Sequence, residues 1–402
     1  MPKIRVMVVD DAVVVRRLVT DALSTDPQIE VVGVAPNGKI ALQKIPQLNP
    51  DVITMDVEMP EMNGLETIRE IRKLYKKLPV IMFSTLTERG AAATLEALAG
   101  GASDYVTKPA NVGSVAAGIA RVRDQLIPKI KTLAGVPAEP PMVPPGVGPR
   151  GGVSAPTAGA RAGASPAAPA PSGNGLSVSG AGWPRITGTV QRKAPLTNVI
   201  EMVAIGVSTG GPNALAEVIP MIPRDFPVPI VIVQHMPPVF TKMLAERLST
   251  KSQIKVVEGE EGMQLRPGFA YIAPGDYHMI THRVAGGWQL QLNKNASENS
   301  CRPAVDVLFR SVVDCVGGKC LGVILTGMGA DGLRGSQLIY EQGGRVFAQD
   351  EATSVVWGMP GFVARAGLAE KILPLQQVAP EICRAVSSQR GVAGSAGQRM
   401  VG

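Results

Sequence analysis

Five side chains in the first third of the chain, Asp10, Asp11, Asp56, Ser84 and Lys108, can together handle a phosphoryl group. Carboxylates crowded into a small space repel one another, and a divalent cation relieves the repulsion; an all-oxygen ligand set points to Mg²⁺. With Mg²⁺ bound by Asp10, Asp11 and Asp56, Asp56 could attack phosphorus and become an aspartyl phosphate. Lys108 would pair with the phosphoryl oxygens and Ser84 would hydrogen-bond to one of them. One acid alone at a strand end would be an exposed loop residue or a helix cap, so the argument rests on the combination.

A second set lies far along the chain. Ser208 opens Ser208-Thr209-Gly210-Gly211-Pro212, a tight turn from an apolar run into a helical pattern, where backbone N–H groups and a positive helix end favour an oxyanion. The same turn could cradle a phosphate, although it lacks Gly-Lys-Ser/Thr and a clean Gly-x-Gly-x-x-Gly. Of the three histidines, His235 directly follows an apolar run and can face the same crevice, with the chemistry to take the serine proton. Asp331, in Thr326-Gly327-Met328-Gly329-Ala330-Asp331-Gly332, can orient that imidazole and complete a Ser-His-Asp triad, or can cap the helix expected from Gly332. His278 and His282 are four residues apart, but their segment alternates like a strand, which would not bring them together on a metal. Cys301 has only Arg302 as a basic sequence neighbour and is expected to be a quiet thiol.

The elements that must position these groups are read from periodicity. Ile4–Val9, Ile29–Ala35, Val52–Met55, Val80–Ser84 and Asp104–Val106 predict five buried strands alternating with helices, which is a doubly wound, flavodoxin-like parallel sheet. Ligands of such sheets bind beyond the carboxyl ends of the central strands, where the first five residues lie. Val203–Val207, Ile230–Gln234, Leu321–Leu325 and Arg345–Ala348 predict a second doubly wound, mostly parallel α/β sheet, and Tyr271–Leu292 predicts a β-hairpin turning at Gly286-Gly287. Between them, from about Ala134 to Trp183, an Ala, Pro, Gly, Ser and Val stretch has no period and reads as a flexible linker. The expected division is 1–133, a connecting stretch 134–197, a second domain 198–390 and a tail 391–402.

The chain's 402 residues exclude a single small module, and 45% hydrophobic content supplies enough material for packed cores. The net charge of +7 comes without a dense basic block interleaved with aromatics, so a nucleic-acid partner is not expected. No run is long enough to span a bilayer, the N-terminus lacks an apolar signal core, and the four cysteines form no Cys-x-x-Cys pair. These features predict a reduced cytoplasmic protein without membrane insertion, expected to be monomeric.

The Asp-Asp pair after the first strand, Asp56, Ser84 and Lys108-Pro109 resemble the response-regulator receiver family. Tyr105 matches that family's aromatic switch, and the Lys108-Pro109 bond is often cis there. The blocks Ser208-Thr209-Gly210-Gly211-Pro212, Gln234-His235-Met236, Ala273–His278, Cys301–Asp306 and Thr326–Gly332 resemble the chemotaxis protein-glutamate methylesterases, in which a receiver precedes an esterase domain. The resemblance implies phosphorylation-regulated hydrolysis of γ-glutamyl methyl esters on methyl-accepting chemoreceptors and deamidation of receptor glutamines. It implies Ser208 as nucleophile, His235 as base then acid, Asp331 as its orienting carboxylate, the Met328 N–H as oxyanion donor and Thr209 as supporting hydroxyl. A chemotaxis histidine kinase would supply phosphate to Asp56, with Mg²⁺ as the receiver's cofactor and none in the esterase domain. The competing readings are a response regulator with a non-catalytic nucleotide- or partner-binding output domain, and a DNA-binding regulator, which the missing helix-turn-helix disfavours.

Overall fold

The computed structural model describes residues 2–108, 115–135 and 190–387. Most of the expected linker, the tail and the Lys108-Pro109 bond lie outside the described residues. The first sheet contains β1 (Ile4–Val9), β2 (Ile29–Ala35), β3 (Val52–Asp56), β4 (Val80–Ser84) and β5 (Asp104–Thr107), all parallel in the order β2-β1-β3-β4-β5. The three central strands are apolar on both faces because helices cover both, so their sequences read as continuous Val/Ile runs rather than alternating ones.

Local sequence fixes where the phosphoryl-site strands stop. After β3, the helix Gly64–Leu74 is started by a reciprocal capping box between Asn63 and Glu66. Its first residue must be small: a Cβ at Gly64 would lie 2.2 Å from the Asp56 carbonyl oxygen. Backbone cannot yield there as a flexible side chain could. Gly64→Ala is therefore expected to lower stability by about 2 kcal/mol, within the range for overpacking, measurable by urea unfolding. An unchanged midpoint would show that this helix can slide away from Asp56.

The second sheet contains β6 (Met202–Val207), β7 (Ile230–Gln234), β8 (Lys255–Glu258) and β9 (Phe269–Ile272). The hairpin β10 (His278–Val284) and β11 (Gly287–Asn293) stands apart, and β12 (Cys320–Ile324), β13 (Arg345–Gln349) and β14 (Lys371–Leu373) return to the sheet. Its order is β14-β13-β12-β6-β7-β9-β8, parallel throughout. Three of these strands, β8, β9 and β14, were not expected from the sequence. They span only three or four residues each, too few to establish a period. Tyr271 belongs to β9 rather than to the hairpin, which closes with Val284 opposite Gly287.

The stretch Val190–Thr197, expected to be linker, is tied down. Lys193 and Ala194 donate backbone N–H groups to the Glu341 carbonyl at 2.8 and 3.0 Å, and Arg192 lies over the Tyr340 ring. Its polar and basic side chains find partners on a helix end, which composition alone does not reveal.

One apolar layer runs unbroken from Met55 and Met82 of the first sheet and Leu98 of the helix Glu88–Ala99 to Leu215, Val218 and Phe240 beside the second. Within it Tyr105 stacks on Phe240, ring centroids 4.9 Å apart and planes within 7°. Such a pair contributes roughly 0.5–1.5 kcal/mol beyond its buried area.

Candidate functional site

In the second sheet the strand order reverses at β6, whose neighbours β12 and β7 lead in opposite directions. The crevice beyond that point is where a doubly wound sheet binds its ligand. Ser208 follows β6, His235 follows β7 and Asp331 lies in the loop after β12. The Ser208 turn is held from both sides. Gln234 donates its side-chain amide to the Ser208 carbonyl at 3.0 Å, Ser208 donates its N–H to the Thr326 carbonyl at 3.0 Å, and Thr326 Oγ1 donates to the Thr209 carbonyl at 2.9 Å. Gly210, at φ 79°, is the left-handed residue that lets the chain turn into the helix Gly211–Val218.

His235 Nε2 lies 2.8 Å from Asp331 Oδ2. Asp331 is buried, and the helix Val305–Val316 presents its first N–H groups to it: Val305 N donates to Oδ2 at 2.7 Å and Asp306 N to Oδ1 at 2.9 Å. Asn299 Nδ2 and Gly332 N donate to Oδ1 at 2.8 and 3.0 Å. So Asp331 does hold a helix N-terminus, but that of Val305–Val316 and not the helix after Gly332, which has no side-chain cap. Burial opposes its ionisation, yet His235 and the surrounding N–H groups outweigh burial and hold its carboxyl below the ordinary range. Neighbouring Asp306 moves the other way, pushed up to about 6 by burial and by the charge on Asp331.

With Nε2 facing Asp331, the ring nitrogen left for a serine proton is Nδ1. No hydrogen bond joins the Ser208 hydroxyl to it among the described residues. Instead Cys301 Sγ lies 3.7 Å from Nδ1, so the thiol expected to be quiet has a histidine beside it. Residues 66 positions apart in sequence meet there through the Glu298–Cys301 turn, where Asn299 and Ser300 take positive φ. Burial disfavours the charged imidazole, but the charges of Cys301 and Asp331 and their hydrogen bonds prevail and push His235 up to about 10.

His278 and His282 both lie on β10, and neither ligates with the other. His278 accepts the Ala304 N–H at Nδ1 and meets the Ala296 carbonyl through Nε2, a structural role. Asn299, which joins Asp331 to Asp306, carried no sequence signal; its position becomes legible only from the turn.

In the first sheet, Lys108 Nζ lies 2.7 Å from Asp56 Oδ2 and 3.0 Å from Asp10 Oδ2. Asp10, Asp11 and Asp56 each offer an oxygen, all within 4.8 Å of one another, so the all-carboxylate donor set fits a hard cation. Burial, with the Asp10 charge added, pushes Asp56 up to about 6 against the pull of Lys108. Ser84 Oγ donates to the Gly90 carbonyl at 3.1 Å. Tyr105 is buried.

The two sheets also touch through polar groups beside the second crevice. Thr209 Oγ1 donates to Asp104 Oδ2 at 2.8 Å, and Lys129 Nζ reaches the same oxygen at 2.6 Å. Asn213 Nδ2 donates to the Leu98 carbonyl at 2.7 Å, and Thr132 Oγ1 lies 3.3 Å from the Met328 sulfur. Asp104 was missed in sequence because it begins a strand at the opposite end from the acidic pocket.

Comparison with known proteins places both parts. Residues 203–382 match the family profile described as CheB methylesterase, and residues 6–120 match the response regulator receiver domain. The chain is 51% identical over 393 residues to a protein-glutamate methylesterase/protein-glutamine glutaminase of Nocardioides sp., covering 97% of each. It is 51% identical over 386 residues to a protein of the same name from Trichodesmium erythraeum, covering 96% of this chain and 100% of that one. The Thermotoga maritima CheB methylesterase catalytic domain is 44% identical with a TM-score of 0.45, over 46% of this chain and 98% of that one.

Proposed function

Because the chain belongs to the protein-glutamate methylesterase/protein-glutamine glutaminase family, we propose that it hydrolyses γ-glutamyl methyl esters on chemoreceptor helices and deamidates receptor glutamines, under phosphorylation control. The observation that carries the reading is the pairing of half-buried His235 with buried Asp331 beside the Ser208 turn at the strand-order reversal. Ser208 Oγ attacks the ester carbonyl carbon while His235 Nδ1 takes its proton, and Asp331 stabilises the imidazolium. The tetrahedral oxyanion is held by the Met328 N–H and the amino end of the Gly211–Val218 helix, with Thr209 in support. His235 returns the proton to the leaving methoxide or amide, releasing methanol or ammonia. Water then attacks the acyl-serine by the same path.

The receiver spans 1–133 and the catalytic domain 198–390, with 134–197 between them and 391–402 as a tail; Val190–Thr197 packs with the second domain. Asp10, Asp11 and Asp56 would hold Mg²⁺, which when bound would supply positive charge for an incoming phosphoryl group. Asp56 is the acceptor, Lys108 pairs with the phosphoryl oxygens, and Ser84 rotates from Gly90 to bond one of them while Tyr105 follows. The phosphodonor is a chemotaxis histidine kinase and the site of action the cytoplasm; no described helix is long and apolar enough to cross a membrane.

The test is methanol release from methylated receptor fragments, with and without a small phosphodonor and Mg²⁺. The expected result is a basal rate that rises with phosphodonor in the wild type and not in Asp56→Asn. Absence of methanol release under both conditions would refute the esterase reading.

A further inference from the structure

We propose that Cys301 and His235 form an inhibitory binding site for a soft divalent cation of the Zn²⁺ type, seated on the imidazole nitrogen that the esterase reaction needs. The inhibitory part rests on the reading of His235 as proton acceptor; the site itself rests on geometry. Cys301 Sγ and His235 Nδ1 are 3.7 Å apart. A tetrahedral zinc with Zn–S of about 2.3 Å and Zn–N of about 2.05 Å sets its sulfur and nitrogen ligands roughly 3.5 Å apart. The pair therefore needs to move by only a fraction of an ångström to share one ion.

The opposite side of the ring is already arranged as metal-bound histidines usually are. His235 Nε2 meets Asp331 Oδ2 at 2.8 Å, an arrangement that keeps the ring's remaining proton on Nε2 when an ion displaces the one on Nδ1. Asp331 is itself fixed by Val305, Asp306, Asn299 and Gly332. Cys301 is fixed from its own side, since Glu298 and Cys301 close a two-way backbone bridge and Arg310 grips Glu298 at 2.7 Å. His235, Cys301 and Asp331 form one of two groups of potential ligands found among the described residues, the other being the aspartate pocket. Their chemistries differ: thiolate and imidazole select a soft ion, whereas the three carboxylates select a hard one, so the Mg²⁺ that serves Asp56 does not compete here. His235 and Cys301 are only partly buried, leaving a path for a small ion and open coordination positions for water.

An ion on Nδ1 removes the lone pair that would accept the Ser208 proton, so hydrolysis stops while phosphorylation of Asp56 continues. The test uses metal-stripped full-length protein. Zn²⁺ is expected to reduce methanol release at least tenfold, reversibly by chelator, and Co²⁺ is expected to give a near-ultraviolet thiolate-to-cobalt charge-transfer band. Cys301→Ser, normalised to its own metal-free rate, is expected to lose that band and to raise the half-inhibiting Zn²⁺ concentration by roughly tenfold or more. Cys383→Ser should retain both responses. A cobalt spectrum without a thiolate band, or a band that survives Cys301→Ser, overturns the site. A band lost with Cys301 but no inhibition by Zn²⁺ overturns the inhibitory claim and with it His235 Nδ1 as the proton acceptor, leaving a metal site without that function.

Discussion

Ser208→Ala and His235→Ala are each expected to lower ester hydrolysis by about four to six orders of magnitude, and the double substitution by little more than either alone. The non-additivity follows from their acting as one unit: a serine without its base and a base without its serine are equally idle, and what remains is oxyanion stabilisation. Asp331→Ala needs separate treatment, because its carboxylate also accepts the first N–H groups of the Val305–Val316 helix. Losing those bonds costs stability as well as rate, so Asp331→Asn, which keeps an acceptor oxygen, is the fairer probe of its effect on His235. The charges that push His235 up to about 10 add a pH signature. A base must be deprotonated to act, so the rate of the unphosphorylated protein should climb from neutral to alkaline pH. Cys301→Ser removes the thiol contact that helps to raise His235 and should carry the rising limb to lower pH. Steady-state methanol release on folded variants measures all of this, and near-wild-type turnover by His235→Ala would remove it from the mechanism.

The acidic pocket and the strand-end serine and histidine were legible because each chemical residue directly follows a run of buried β-branched residues. A parallel sheet delivers the ends of its central strands to one edge, so position after a strand amounts to position in the crevice. The contacts made by turns were not legible. Cys301 reaches His235 only because Asn299 and Ser300 adopt left-handed backbone, and neither residue type announces that in sequence as glycine would. Asp331 illustrates a subtler loss: a carboxylate before a helix was recognisable as a helix-capping group, but the helix it holds comes earlier in the chain, a tertiary pairing that no local window contains. The short strands β8 and β14 escaped for a different reason, since an edge strand of three or four residues draws its identity from its neighbour.

A fragment beginning at Val190 is expected to hydrolyse receptor esters roughly tenfold faster than the unphosphorylated whole, by releasing a restraint that the receiver imposes on the Ser208 turn. Thr209, next to the proposed nucleophile, spends its hydroxyl on Asp104, and Asn213, in the helix that Ser208 leads into, is bonded to the Leu98 carbonyl. Both restraints come from the receiver. The route from Asp56 to them is short: Ser84 donates to the Gly90 carbonyl, Gly90 lies in the helix Glu88–Ala99, and Leu98 is near that helix's end. When Ser84 turns towards a phosphoryl group on Asp56, it gives up Gly90 and frees the helix to shift. Tyr105, paired with Met82 across the strands, is stacked on Phe240 and would have to leave that stack for its ring to follow Ser84. Complete switching from 1:99 to 99:1 requires about 5.5 kcal/mol of differential stabilisation, more than one aromatic stack and two hydrogen bonds usually contribute, so a partial shift is expected. Full-length Asp104→Asn, which weakens the grip on Thr209 without removing the receiver, should lie between the whole and the fragment, and Asp56→Asn should stay at the low rate with phosphodonor present. Starting the fragment at Val190 preserves the bonds of Lys193 and Ala194 to Glu341, so that a slow fragment cannot be blamed on a torn catalytic domain. Equal rates for the fragment and the unphosphorylated whole would mean that the Asp104–Thr209 contact does not restrain catalysis, and phosphate would then have to act by recruiting the receptor.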